Sequence, residues 1–192
     1  MTGETGRRRL ELRHLRQPDE DAFRLACRVM EDSDGFDFAF DFGDETVFTD
    51  YLESLENQRE GRDLLPERVP ATYLVADVGS EIVGRVSIRH RLNERLLTLG
   101  GHIGYGVLPE HRGNGYATEI LTQALDIARG LGLDRVLLTV DETNVASQRV
   151  IGKCGGVLEA PGPDRGIGVR RYWIALTADD PSEVRPRKST DQ

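Results

Sequence analysis

The order of apolar and polar residues along the chain predicts which segments form strands. Leu10–Leu15 alternates apolar and polar residues, as a strand with one buried face does. Thr72–Asp77 and Glu81–His90 flank the turn sequence VGS, and together they predict a hairpin. Arg135–Val140 is apolar almost throughout, which is typical of a strand covered on both faces. The remaining predicted strands are His102–Val107 and Arg171–Leu176.

Other segments carry the spacing of apolar residues that belongs to helices. The first helix opens at Pro18 and three acidic residues, because a fixed φ and early negative charge suit a helix N-terminus, and it runs to about Met30. Thr46–Arg59 and Asn114–Gly130 repeat apolar residues at every third or fourth position. Asn144 caps a shorter helix that a Gly-Gly pair ends. This order predicts a mixed sheet with helices on its faces.

Composition narrows the classes of protein to which this chain can belong. Its 192 residues carry a formal net charge of −8, which disfavours general nucleic-acid binding. No apolar run approaches the length of a membrane span and the first residues contain no secretory apolar region, so we expect no membrane partner and a cytoplasmic location. Cys27 and Cys154 form no CxxC pair, so neither a disulfide framework nor a metal site is expected. One domain is predicted over 10–177, between disordered tails at 1–9 and 178–192.

One stretch, Gly104–Glu119 (GYGVLPEHRGNGYATE), stands between a predicted strand and a predicted helix. Glycine-rich turns in this position bind phosphate groups, because the backbone N–H groups and the dipole of the helix N-terminus both attract negative charge. A P-loop needs a Lys and a Ser or Thr after its second glycine, and RGNGYAT has no Lys. A dinucleotide fingerprint needs a small residue where Thr118 stands. An ordinary Pro/Gly turn that caps a helix is the remaining alternative.

The segment RGNGYA (Arg112–Ala117) has the pattern Arg/Gln-x-x-Gly-x-Gly/Ala, and here the chain resembles the GNAT superfamily of acetyl-coenzyme-A-dependent N-acetyltransferases. The resemblance covers about Leu10–Leu176 in element order and is strongest over His102–Gly156. Within that range, TNVASQRVIGKCGG (Thr143–Gly156) is similar to the family's Asn-x-x-Ser/Ala and Lys-x-Gly elements. The resemblance implies an α/β (α+β) fold whose mixed, mostly antiparallel central sheet is flanked by helices and splayed at its two central strands.

The same resemblance implies that acetyl-CoA is the co-substrate and indicates which residues hold it. The backbone N–H of Val107 would polarise the thioester carbonyl as an oxyanion site. Asn144 and Ser147 match cofactor-side contacts, with helix capping as the alternative for Asn144. The turn that would bind the pyrophosphate consists of Arg112, Gly113, Asn114, Gly115, Tyr116, Ala117 and Thr118.

The chemistry requires a neutral attacking amine and a proton for the departing thiolate. Many family members place the proton donor, a Tyr, seven positions after the Asn of the downstream element, where this chain has Ile151. Tyr105 is a candidate to replace it, and His102 is a candidate base because of its ordinary pKa, although it could equally be a hydrogen-bonded structural residue. The further candidates are Ser147, Tyr172 or water as the acid, and His111, Glu94 or Glu142 as the base.

The amine acceptor is left open, because two segments predict opposite substrates. Glu31–Glu45 mixes acidic residues with four phenylalanines and would attract a cationic amine, unless it is a solvated loop anchored in the core. The alternation of FDFAFDF within this segment also permits a short strand. Arg89–Arg95 would instead bind an acidic group, unless it is a solvated hairpin tip. The expected function is N-acetyl transfer to a primary amine of a small molecule or protein in a ternary complex. The alternative is a non-catalytic acetyl-CoA sensor, and a homodimer is expected from the family.

Overall fold

Two antiparallel sheets organise the computed structural model, which describes residues 9–160 and 168–177. The first sheet has the order β1-β2-β3-β4 and the second has the order β5-β7-β6. The strands are β1 (Glu11–Arg13), β2 (Ala71–Asp77), β3 (Ile82–Arg89), β4 (Ile103–Val107), β5 (Arg135–Asp141), β6 (Val157–Leu158) and β7 (Val169–Ala175). The predicted tails at 1–9 and 178–192 lie outside the described residues except for residue 9, so the domain limits stay predictions.

Five helices and two single turns of 3₁₀ helix connect these strands within the described part of the chain. The helices are α1 (Glu20–Asp34), α2 (Phe48–Glu60), α3 (Glu94–Thr98), α4 (Tyr116–Gly130) and α5 (Val145–Lys153). The 3₁₀ turns are Gln17–Asp19 and Pro109–His111. Among the helices in these residues, none combines the length and the apolar character that crossing a bilayer requires.

The first sheet is covered on both faces, because alternate side chains of its strands point in opposite directions. Val86 and Ile88 of β3 join the core that α4 and α5 cover. Tyr73 and Val75 of β2 join a second core beneath α1 and α2, which includes Phe23. Burial of each such side chain contributes about 1.5–3 kcal/mol. The two cores hold β3 and β4 in place between two layers of helices.

The two sheets meet at one point and then separate. The backbone N–H of His102 donates to the carbonyl of Leu137 at 2.7 Å, and the N–H of Leu137 donates back to His102 Nδ1 at 2.9 Å. A Cβ on Gly101 would lie 2.3 Å from the Leu137 carbonyl oxygen, so only glycine allows this approach. Beyond this point β4 and β5 belong to different sheets, which confirms the predicted splay.

The structure differs from the pattern-based predictions in the connections. The first helix continues beyond Met30 to Asp34 and ends at Gly35, whose φ of 63° is left-handed. The alternating segment FDFAFDF forms no strand. The connection after β3 contains α3, whose N-cap Asn93 accepts a hydrogen bond from the Leu96 N–H at 2.9 Å.

Candidate active site

A cavity of about 430 Å³ opens where β4 and β5 separate. It is bounded by the C-terminal half of β4, the glycine turn, the start of α4 and the N-terminal part of α5. Seventeen residues line it: Met30, Phe36, Tyr105, Gly106, Val107, His111, Arg112, Gly113, Gly115, Tyr116, Ala117, Thr118, Asn144, Ala146, Ser147, Val150 and Lys153. Most of the residues predicted from the sequence therefore meet around one space.

The glycine turn has the backbone conformation that its two glycines permit. Gly113 and Gly115 have φ values of 80° and 82°, in the left-handed region that favours glycine. The N–H of Thr118 donates to the Gly115 carbonyl at 3.0 Å, and the N–H of Arg112 donates to the Pro109 carbonyl at 3.2 Å. The N–H groups of Gly113, Gly115 and Ala117 make no hydrogen bond within the described part of the chain. Three donors thus gather at the N-terminus of α4.

Asn114 and Asn144 are held differently by the structure. The side chain of Asn114 donates to the His111 carbonyl at 3.1 Å, and Asn114 is not among the lining residues. Asn144 lines the cavity and also caps α5, since its side chain accepts from the Ser147 N–H at 3.0 Å. Asn114 therefore braces the turn, whereas Asn144 combines capping with a place beside the ligand space.

The charge around the cavity contrasts with the acidic character of the whole chain. Among its described lining residues, none is Asp or Glu, while Arg112 and Lys153 are basic. Arg112 also holds the end of β4, because its Nε donates to the Val107 carbonyl at 3.1 Å. Lys153 was not among the predicted site residues, although it is the Lys of the family-like KCGG segment. The cavity is suited to an anionic ligand.

The hydrogen-bonding pattern of β4 directs the N–H of Val107 toward the gap between the sheets. The N–H of Leu108 donates to the Val83 carbonyl at 2.9 Å, and residues exchange such bonds alternately in an antiparallel ladder. Val107 therefore turns its N–H and C=O away from β3. The bond from Arg112 to the Val107 carbonyl fits this direction.

Tyr105 lies on the same side of β4 as Val107 and lines the cavity. Its hydroxyl donates to the Ser147 carbonyl of α5 at 3.5 Å. Burial raises the pKa of Tyr105 to about 12, so the phenol keeps its proton at neutral pH. Ile151, at the position where the family resemblance implies a Tyr, is only 1% exposed and belongs to the core. The cavity thus contains a phenol supplied by β4.

His102 is placed at the junction of the sheets and does not line the cavity. Burial, with Arg89 and Arg135 nearby, lowers its pKa to about 4, so the imidazole is neutral at pH 7. Since Nδ1 accepts the Leu137 N–H, the ring proton is on Nε2, and neither nitrogen is left to accept a further proton readily. This geometry favours the structural alternative, and a role as base stays a prediction.

The phenylalanines of the acidic segment face arginines of the same chain. The Arg85 guanidinium lies 4.5 Å from the Phe36 ring centre and 4.9 Å from that of Phe40, and Arg24 lies 4.9 Å from that of Phe42. Phe38 is 2% exposed. The rings that a cationic acceptor would contact are already engaged by internal cations.

A second cavity, of about 330 Å³, lies on the α1–α2 face of β3. Phe36 lines the first cavity, whereas Asp37 and Phe40 line the second, so the segment Phe36–Phe40 borders both. Arg85 fixes this segment, because its Nη2 donates to the Asp37 carbonyl at 2.5 Å. Its Nη1 donates to the Gly104 carbonyl of β4 at 3.0 Å.

Comparisons with known proteins bear on the family and the fold of the chain. A family model described as an acetyltransferase (GNAT) domain matches residues 9–157. RimJ from Mycobacterium smegmatis, solved with CoA-disulfide, is 20% identical, with a TM-score of 0.62 over 86% of this chain and 81% of that one. The protein yncA from Salmonella typhimurium, solved with its cofactor acetyl-CoA, is 16% identical, with a TM-score of 0.58 over 92% and 99% of the two chains.

A spermidine N-acetyltransferase from Vibrio cholerae, in complex with CoA and spermine, is also similar in structure. It is 22% identical, with a TM-score of 0.56 over 87% of this chain and 95% of that one. At these identities the three structures show the common fold. No curated protein matches the sequence.

Proposed function

This chain belongs to the GNAT acetyltransferase family, and on that premise we propose that it moves an acetyl group from acetyl-CoA to a primary amine. The observation that carries the proposal is the cavity beside Val107, where a glycine turn, an outward-facing N–H and an acid-free lining meet. The substrate is a small molecule or a protein, and transfer occurs directly within a ternary complex.

The residues of the cavity take separate parts in the reaction. Acetyl-CoA supplies a thioester whose carbonyl carbon accepts the amine and whose sulfur departs as thiolate. The N–H groups of Gly113, Gly115 and Ala117 bind its pyrophosphate, and Arg112 and Lys153 add positive charge. The N–H of Val107 stabilises the oxyanion that forms at the carbonyl.

Tyr105 donates its phenolic proton to the departing thiolate, and the proton that the attacking amine loses on acylation passes to solvent, from which the phenolate is reprotonated. Its hydroxyl lies in the cavity, and it is protonated across the physiological range because burial raises the pKa of Tyr105 to about 12. The hydrogen bond to the Ser147 carbonyl orients the hydroxyl toward α5, the element from which relatives supply their Tyr. Tyr105 of β4 therefore supplies the phenolic proton donor that is absent at position 151 of α5.

Direct transfer agrees with the state of the two cysteines. Burial raises the pKa of Cys27 to about 12, and burial also raises the pKa of Cys154. Neither residue lines the cavity. A thiol that holds its proton and lies outside the site is a poor nucleophile, which supports attack by the amine itself.

The rival function is a domain that binds acetyl-CoA without turnover, and Ile151 is the observation that favours it. A thiol-release assay with acetyl-CoA and a panel of amines separates the two. Amine-dependent release supports the enzyme, whereas CoA binding without release by any amine supports the sensor. Failure to bind CoA in calorimetry would overturn both.

Homodimerisation and a cytoplasmic location stay predictions. Light scattering of the purified chain tests homodimerisation.

A further inference from the structure

The glycine turn contains an Asn-Gly sequence, Asn114–Gly115, which is prone to a spontaneous covalent change. An asparagine side chain loses its amide when the backbone nitrogen of the next residue attacks Cγ, and glycine has the least hindered nitrogen because it carries no side chain. Of the four asparagines in the chain, Asn114 alone precedes a glycine. The residues after Asn57, Asn93 and Asn144 are Gln, Glu and Val.

The structure leaves the attacking nitrogen accessible. Asn114 and Gly115 are both exposed, so water reaches the site. The N–H of Gly115 makes no hydrogen bond to any of residues 9–160 and 168–177, so neither a helix nor a strand ladder holds this nitrogen. The side-chain amide of Asn114 donates to the carbonyls of His111 at 3.1 Å and Arg112 at 3.5 Å. Both contacts are exposed, and the side chain must release them before it can cyclise.

The other three asparagines have positions that oppose the same reaction. The side chains of Asn93 and Asn144 cap α3 and α5, accepting backbone N–H groups at 2.9 and 3.0 Å. Asn57 lies inside α2, and its Oδ1 accepts from Arg62 Nε at 3.0 Å. Cyclisation would therefore break a helix cap or a helical turn at each of these positions. They provide internal references for the rate at Asn114.

Loss of the amide at position 114 would oppose phosphate binding in two ways. The product is a carboxylate beside the N–H donors of Gly113 and Gly115, where it repels a pyrophosphate. A carboxylate also cannot donate to the His111 carbonyl, so the brace of the turn is replaced by two acceptors that face each other. In the isoaspartyl product the side-chain methylene enters the backbone, which displaces the Gly115 N–H from its place in the turn.

A bound acyl donor would protect the site from this change. The pyrophosphate oxygens accept the Gly115 N–H, and they therefore hold the nitrogen that would otherwise attack. The donor also keeps the turn in one conformation. The reaction would accordingly proceed only while the turn is empty.

We propose that Asn114 is a site of spontaneous deamidation that inactivates the CoA-binding turn, and that bound CoA prevents the reaction. This inference rests on the proposed position of the pyrophosphate. The Gly115 nitrogen loses its proton to solvent and bonds to Cγ of Asn114, and the Cγ–Nδ2 bond breaks as Nδ2 takes a proton from solvent and leaves as ammonia. Water then opens the succinimide ring. Attack at the side-chain carbonyl gives Asp, and attack at the backbone carbonyl gives isoaspartate, so one water is consumed for each ammonia released.

Ageing of the full-length protein at mildly alkaline pH, with and without saturating coenzyme A, tests the proposal. Peptide mapping by mass spectrometry measures deamidation at each of the four asparagines. Pantetheine, which lacks the pyrophosphate, is the matched ligand control. The aged protein is separated by charge, and calorimetry gives the CoA affinity of each fraction. Asn114→Asp reproduces one product, and Asn114→Gln keeps a neutral amide that cyclises far less readily.

We expect deamidation to be at least about tenfold faster at Asn114 than at the other asparagines, and at least about tenfold slower there with CoA but not with pantetheine. The deamidated fraction and Asn114→Asp should bind CoA at least about tenfold more weakly than the wild type, with Asn114→Gln between them. Circular dichroism of each variant shows that a weaker affinity does not come from unfolding.

Two results would overturn the inference while leaving the proposed function intact. The first is equal deamidation at the four asparagines in fresh protein that binds CoA. The second is a rate at Asn114 that CoA does not change, or changes only as much as it changes the rates at Asn57, Asn93 and Asn144. Failure of the fresh protein to bind CoA would instead overturn the proposed function, and the inference with it.

Discussion

Leu137 donates its backbone N–H to Nδ1 of His102 at 2.9 Å, and this bond joins the two sheets at the base of the active-site gap. The bond requires an imidazole without a proton on Nδ1. Burial holds the pKa of His102 near 4, below the ordinary 6.5. Protonation of this ring therefore competes directly with folding.

The stability of the protein should accordingly fall as the pH decreases from about 6.5 to 4. The pKa of His102 is about 4 in the folded protein and about 6.5 in the unfolded chain, so its contribution to the free energy of unfolding is fully present above pH 6.5. This contribution is lost as the pH falls through 4, by up to about 3 kcal/mol. His102→Gln keeps an acceptor for the Leu137 N–H but cannot titrate. Denaturant unfolding across this pH range should show a flatter profile for the variant. Because burial also lowers the pKa of His90, the difference between the two profiles is the quantity to compare, and identical slopes would contradict the prediction.

Gly115→Glu should abolish CoA binding while leaving the circular dichroism spectrum of the fold. The side chain would place a negative charge among the N–H donors that bind the pyrophosphate. Any side chain at this φ of 82° is strained by about 1–2 kcal/mol, so Gly115→Gln is the control with equal strain and no charge. Calorimetry with CoA should show a much weaker affinity for Glu than for Gln. Unchanged affinity in Gly115→Glu would place the phosphates elsewhere.

Tyr105→Phe should lower kcat by about a hundredfold or more without changing the affinity for CoA, because only the proton donor is removed. The matched control is Tyr172→Phe, whose hydroxyl bonds to Gln148 Oε1 at 3.4 Å outside the cavity. With a pKa of about 12, Tyr105 stays protonated as the pH rises from 7 to 10, so its ionisation should cause no loss of rate there. A larger effect of Tyr172→Phe would transfer the role of the acid to that residue.

Gly106→Ala should destabilise the protein, whereas Gly104→Ala should be nearly neutral. A Cβ on Gly106 would lie 2.7 Å from Cε1 of Phe36, so the ring must move from its place over Arg85. On Gly104 the nearest atom to a Cβ is Arg85 Nη1 at an ordinary 3.7 Å. Denaturant titration should show a loss of about 1–3 kcal/mol for the first variant only. Equal free energies of unfolding for the two variants would mean that the Phe36 ring can move aside without loss of stability.

The sequence could predict the glycine turn and the strand and helix beside it because these features depend on local chemistry. Gly113 and Gly115 lie next to the helix that they introduce, and the same short segment contains Val107. Patterns of neighbouring residues therefore carried the information. The helical spacing of α4 and the apolar run of β5 predicted their elements for the same reason.

The acceptor side depends on contacts between distant segments, which no local pattern records. In the sequence, Arg85 is a single polar residue within an apolar strand. In the structure it is buried beneath the rings of Phe36 and Phe40, which lie far from it in sequence. The alternation of FDFAFDF also permitted a short strand, but Phe38 enters the α1–α2 core and Asp41 adopts a φ of 59°. In this segment, contacts with distant residues determine the conformation, and the alternation of apolar and polar residues does not. The pairing of His102 with Leu137 likewise spans thirty-five positions.

The separation of β4 from β5 has a consequence for the protein in the absence of its substrate. Within the described residues β4 and β5 belong to separate sheets, and unpaired strand edges are templates for pairing with other chains, and therefore for aggregation. An acyl donor whose pantetheine arm lies along β4 would cover this edge as an added strand does. At a hundred times its Kd, such a ligand adds about 2.7 kcal/mol to the stability of the folded chain. Besides supplying the acetyl group, the bound acyl donor would thus protect the protein against aggregation during its synthesis and storage.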